Sequence, residues 1–114
     1  MRFHHVAFRT YNLARLENFY AEVLGMTVKA RHGDRSIWLE VGEAMLMLEQ
    51  GSEDEPEVPT GSMEFLAFTM IASEHEAWRK RLHDARVAIE HETDFTLYFR
   101  DPDGRRIGLS HFTA

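Results

Sequence analysis

Seven histidines and no cysteine set the chemistry this chain can attempt. Thiolate catalysis, thiolate metal ligation and a disulfide framework are excluded, so imidazole is the first candidate donor or proton carrier. The opening stretch HVAFRT places His5 and Arg9 four residues apart. In an extended strand that spacing puts them on one face with Phe3 and Ala7, while His4, Val6, Phe8 and Thr10 take the other. An imidazole beside a guanidinium suits gripping a polar or anionic group, or moving a proton. His5 reads equally well as a pocket donor or as a hydrogen-bonded core residue. An arginine facing a pocket is costly unless paired, so Arg9 calls for an acid such as Glu49 or for a carboxylate ligand. An ordinary structural salt bridge is the plainer of those readings. His4, His75, His83 and His91 are expected on the surface or at sheet edges. At the far end, RDPDGRRIGLSHF sets Gly108 inside an apparent strand, where an isolated glycine marks a bulge or a close backbone approach.

The elements that must position these residues follow from periodicity. Strands are predicted at Phe3–Thr10, Thr27–Arg31, Ser36–Val41, Ala44–Glu49, Met63–Ile71, Ala88–His91, Phe95–Arg100 and Arg106–Phe112. Asn12 is placed as the N-cap of a helix carrying Leu13, Leu16, Phe19, Tyr20, Val23 and Leu24, closed by Gly25. Ser73 and Glu76 have capping-box spacing ahead of a second helix with Ala77, Trp78, Leu82 and Ala85. Asp101-Pro102-Asp103-Gly104 is a turn that shapes a hairpin and does no chemistry. Each half therefore reads strand, helix, strand, strand, strand, and HVAF aligns with FLAF just as LMLE aligns with IGLS. The predicted organisation is one domain over 1–114, made of a first unit at 1–50, an exposed linker at 51–61 and a second unit at 62–114.

Bulk properties narrow the partners. A chain of 114 residues buries a core without needing a metal or disulfide to fold. The net charge of −6, with no basic stripe, argues against nucleic acid and against an anionic membrane surface. No signal-peptide core or spanning apolar run is present, so a cytoplasmic protein is the expectation.

HVAFRTYNLARLENFYAEVLGM and YFRDPDGRRIGL together resemble the vicinal oxygen chelate superfamily, which includes glyoxalase I, extradiol dioxygenases, fosfomycin-modifying enzymes and bleomycin-binding resistance proteins. The resemblance spans essentially the whole chain. It implies an α+β fold of two βαβββ repeats forming a curved mixed-sheet cup, and, for small members, a homodimer. It also implies one divalent metal held at four strand positions, which fall here on His5, Met47, Phe65 and Gly108. Only His5 is a suitable donor, and one imidazole does not hold a catalytic ion. Glu49 and His111 are the nearest replacements, yet they lie about 7 and about 10 Å along their strands from the positions they would replace.

The reading that results is a metal-independent relative binding a small organic molecule in a concave sheet pocket. Arg9 matches an arginine that some glyoxalase I proteins direct at an anionic group. His5 and Arg9 supply polar contacts; Met47, Phe65, Tyr98 and open space at Gly108 supply shape, with Trp38 and Met45 nearby. No residue is assigned a catalytic role and no cofactor is expected. The alternatives are a metal-dependent lyase or dioxygenase with displaced ligands, an isomerase relying on His5, and a purely structural module.

Overall fold

Alternating exposure along β1 (His5–Thr10) turns His5, Ala7 and Arg9 to one side and seats Val6, Phe8 and Thr10 toward the core. The computed structural model describes residues 1–114, as two units at Met1–Glu57 and Val58–Ala114. No helix is long and apolar enough to cross a membrane.

In the first unit, Asn12 caps α1 (Leu13–Glu17) as its spacing predicts, its Oδ1 accepting from the Arg15 N–H at 3.1 Å. The helix then widens into a π-helical stretch over Asn18–Val23. This places both Phe19 and Tyr20 in the core beside Leu16, their rings edge to face at 5.0 Å. Gly25, with φ of 78°, ends it in a left-handed conformation a side chain would resist. Strands β2 (Val28–His32), β3 (Ser36–Val41) and β4 (Ala44–Gln50) complete a sheet of order β1-β4-β3-β2, with β1 and β4 parallel. Ile37, Leu39, Leu46 and Leu48 form its buried face.

The second unit repeats the plan with β5 (Leu66–Thr69), α2 (His75–Asp84), β6 (Ile89–Glu92), β7 (Thr96–Arg100) and β8 (Arg106–Ser110), in sheet order β5-β8-β7-β6. Leu82, Leu97, Phe99, Ile107 and Leu109 are buried. The fold is thus α+β, two four-stranded mixed sheets with a helix to each. Register bears out the alignment of the halves: Val6 pairs with Leu46 as Leu66 pairs with Ile107, and Trp38 opposes Met47 as Tyr98 opposes Gly108.

Three local expectations are corrected. The strand predicted over Met63–Ile71 is only Leu66–Thr69, four residues paired with Ile107–Ser110 of β8, and the Met70 N–H that donates to the Ser110 carbonyl at 2.9 Å is the last backbone bond to β8 on that side. The Ser73–Glu76 capping box does not form. A 3₁₀ turn at Ala72–Glu74 leads into α2, Glu74 occupies the N-cap without a side-chain bond, and Glu76 turns to Arg79 instead. Gly108 is not a bulge, since it pairs in register with Ala67 and Tyr98. The irregularities fall at Val28/Ala30 and Ile89/His91, where Lys29 and Glu90 are the extra residues of β2 and β6.

Candidate functional site

The parity that buries the leucines of the first sheet leaves its other face to His5, Arg9, Trp38, Met45, Met47 and Glu49. His5 opposes Met45 on β4, and its ring centre lies 5.2 Å from that of Trp38, itself opposite Met47. His5 Nδ1 lies 2.8 Å from His4 Nδ1, so one of the two rings carries its hydrogen there. Met45, Met47 and Trp38 are half-buried, a soft and adaptable surface beside one imidazole.

Arg9 closes one end of this face. Its Nε and Nη2 each donate to Glu55 at 2.7 Å and its Nη1 donates to Glu49. Two carboxylates thus compensate one guanidinium. The hydrogen bonds to Glu55 and Glu49 raise the Arg9 pKa above the ordinary guanidinium range, and Arg9 holds the Glu55 carboxyl down at about 2. The Ser52 N–H donates to the same carboxylate at 2.8 Å, and the Tyr11 hydroxyl donates to the Glu55 carbonyl. The expected acid partner Glu49 is therefore present. Glu55 is an addition that the sequence hid by placing it in what reads as a solvated linker.

On the second sheet the corresponding face carries Phe65, Ala67, Tyr98, Arg100, Arg106 and Gly108. Phe65 stands just before β5, edge to face with Tyr98 at 4.9 Å. A Cβ added to Gly108 would meet the Phe65 ring at 3.3 Å and the Ala67 Cβ at 3.4 Å. The space expected at Gly108 is thus filled by Phe65. Arg106, which sequence reasoning passed over, lies under two rings, its guanidinium carbon 4.5 Å from the Tyr98 centroid and 5.2 Å from that of Phe65. The available signal was its parity: two residues before Gly108 on a strand is the same face.

A further cluster was also missed. His75, expected at the surface, is only 14% exposed; its Nδ1 lies 3.0 Å from His111 Nε2 and its Nε2 lies 3.2 Å from Glu92, which also binds Arg79. His4, His83 and His91 are exposed as expected, with His91 against Tyr98 at 5.6 Å.

The donors at the four strand positions do not suit a divalent ion. Met47 offers a soft thioether, Phe65 no lone pair, and Gly108 no side chain, with the Phe65 ring 3.3 Å from where its Cβ would stand. Of the nearest replacements, Glu49 is engaged by Arg9 and His111 by His75. No group of three His, Asp or Glu side chains converges to hold an ion. These residues do not fit the metal that the four strand positions would imply.

A sequence profile of the Glyoxalase/Bleomycin resistance protein/Dioxygenase superfamily matches residues 2–109, and the chain belongs to that superfamily. Among curated proteins it is similar to the metallothiol transferase FosB of Staphylococcus saprophyticus, 26% identical over an alignment of 115 positions that covers 92% of this chain and 73% of that one. Among solved structures, a glyoxalase/dioxygenase from Nostoc punctiforme superimposes with a TM-score of 0.82 at 19% identity, covering 95% of this chain and 88% of that chain. A variant of the fosfomycin resistance protein FosX from Listeria monocytogenes, complexed with Mn(II) and 1S,2S-dihydroxypropylphosphonic acid, gives 0.77 at 15% identity, covering 96% and 88%.

Proposed function

We propose that this chain is a metal-independent member of its superfamily that binds a small, largely apolar organic molecule with a polar or anionic end. The observation that carries the reading is the chemistry of the sheet faces turned away from the leucine cores. They present His5, Trp38, Met45 and Met47 on one sheet and Phe65 and Tyr98 on the other, where three of the four metal positions have no hard donor. His5 offers the polar contact on the first sheet, and Arg9, engaged by Glu49 and Glu55, fixes the edge of that face. The protein acts as a homodimer in the cytoplasm, a setting in keeping with the absence of cysteine.

The similarity to a metallothiol transferase favours a second reading, a metal-dependent transferase with ligands brought from elsewhere. Elemental analysis of the purified protein separates the two, combined with a thermal-shift screen of small organic acids and antibiotics before and after chelation. The metal-independent reading expects no stoichiometric metal and ligand-induced shifts that survive chelation. A stoichiometric ion whose removal abolishes those shifts establishes the second reading. Light scattering of the eluting protein at twice the 13.3 kDa chain mass is the expected result for the dimer.

A further inference from the structure

Arg100 and Arg106 are direct cross-strand partners on β7 and β8, and like charges placed opposite one another destabilise a sheet. One carboxylate lies between them. Glu90, the extra residue of the β6 bulge, meets Arg100 in a two-pronged pair, Nε to Oε2 at 2.6 Å and Nη2 to Oε1 at 3.1 Å. Arg106 receives only a single long contact from the same group, Nε to Oε1 at 3.3 Å, and donates Nη1 to the Met63 carbonyl at 3.4 Å. Its Nη2 donates to no group in the chain. Every fully buried polar side-chain atom has a partner, so this nitrogen reaches the surface, although the side chain as a whole is only 8% exposed. Two guanidinium groups against one carboxylate leave an excess positive charge on this face, in a chain whose net charge is −6.

The first sheet shows the contrast at matching register. There Glu40 stands opposite Met45 where Arg100 stands opposite Arg106, and Lys29, the bulge residue of β2, pairs with Glu40 at 3.4 Å. That corner is neutral. The corner with Arg106 is not, and the Phe65 and Tyr98 rings against which the guanidinium lies also offer flat apolar contact to whatever approaches it.

We infer that Arg106 recognises the anionic end of the ligand, and that the ligand class is an organic carboxylate or phosphonate whose apolar body lies against Phe65 and Tyr98. This rests on the proposed small-molecule site and names the chemistry it selects. The planar fork of a guanidinium is pre-organised for an oxyanion and loses little entropy per hydrogen bond formed, and the incoming charge relieves the repulsion between the arginines. Arg9, the arginine that spacing singled out, already has two carboxylates.

Calorimetric titration of the full chain with phenylphosphonate, benzoate and neutral benzamide tests the inference. Both anions are expected to bind more tightly than benzamide and to weaken as salt is added. Arg106→Met should weaken phenylphosphonate at least about tenfold and leave benzamide unchanged, while the control Lys80→Met, on α2, leaves all three unchanged. Anions binding no better than benzamide, or binding Arg106→Met as tightly as wild type, overturns the inference. If Arg106→Met fails to fold, Arg106→Lys and the salt dependence decide: unchanged phenylphosphonate affinity in Arg106→Lys together with salt-independent binding overturns it. Benzamide binding without anion preference leaves the site standing and removes only the role of Arg106. Failure of all three probes removes both.

Discussion

Arg9 and Glu55 exchange paired hydrogen bonds at 2.7 Å, and this fixes how stability should respond to acid. The Glu55 carboxyl is held at about 2, below its ordinary value, chiefly by Arg9. A depressed folded pKa stabilises the protein fully above the unfolded value of about 4.3 and loses that contribution as pH falls toward the folded one. Thermal melts of wild type and Glu55→Gln should therefore differ above about pH 5 and converge between about pH 4 and 2. A difference persisting unchanged at pH 2 would contradict the assignment. At Gly108, an added methyl meets the Phe65 ring at 3.3 Å, tight enough that the ring must shift slightly. Gly108→Ala should cost about 1 kcal/mol in urea unfolding, at the low end for overpacking because Phe65 is 44% exposed and free to give. In a Phe65→Ala background the cost should vanish, and an unchanged cost there would place the strain elsewhere.

At the scale of elements, the two helix entries were equally visible as motifs and only one of them formed. Asn12 accepts from Arg15 N–H, and Asn12→Ala should lower stability by about 1 kcal/mol. Ser73→Ala should leave the melting temperature within error, because the helix begins two residues later behind a 3₁₀ turn and Ser73 caps nothing. A loss at Ser73 equal to that at Asn12 would mean a capping box operates after all. The physical difference lies in what surrounds each motif. Thr10 and Gln50 anchor the chain entering α1 through bonds to the N–H groups of Asn12 and Leu13. His75, at the start of α2, is drawn to His111 and Glu92, partners 36 and 17 residues away, and local spacing carries no trace of that competition.

For the whole molecule, each unit has its own set of fully buried side chains, so its stability should depend on single large residues in either one. Leu48→Ala and Phe99→Ala should each destabilise the chain, by about 2–5 and about 3–5 kcal/mol, read from urea midpoints; a loss below 1 kcal/mol for either would mean that its core is not where the burial places it. Alternation and turn residues determined by themselves that there are eight strands, that the halves repeat, and that His5, Ala7 and Arg9 share a face, because side-chain parity and glycine conformations are local properties. That Met47, Phe65 and Gly108 stand where the superfamily resemblance places metal-holding side chains was also legible, but from that resemblance and not from periodicity. Only tertiary structure decided that Phe65 occupies the space at Gly108, that Glu55 leaves the apparent linker to neutralise Arg9, and that Arg106 is left with a fraction of one carboxylate. Charge balance and cavity filling depend on groups far apart in sequence meeting at a few ångströms, and no periodicity encodes which of them will meet.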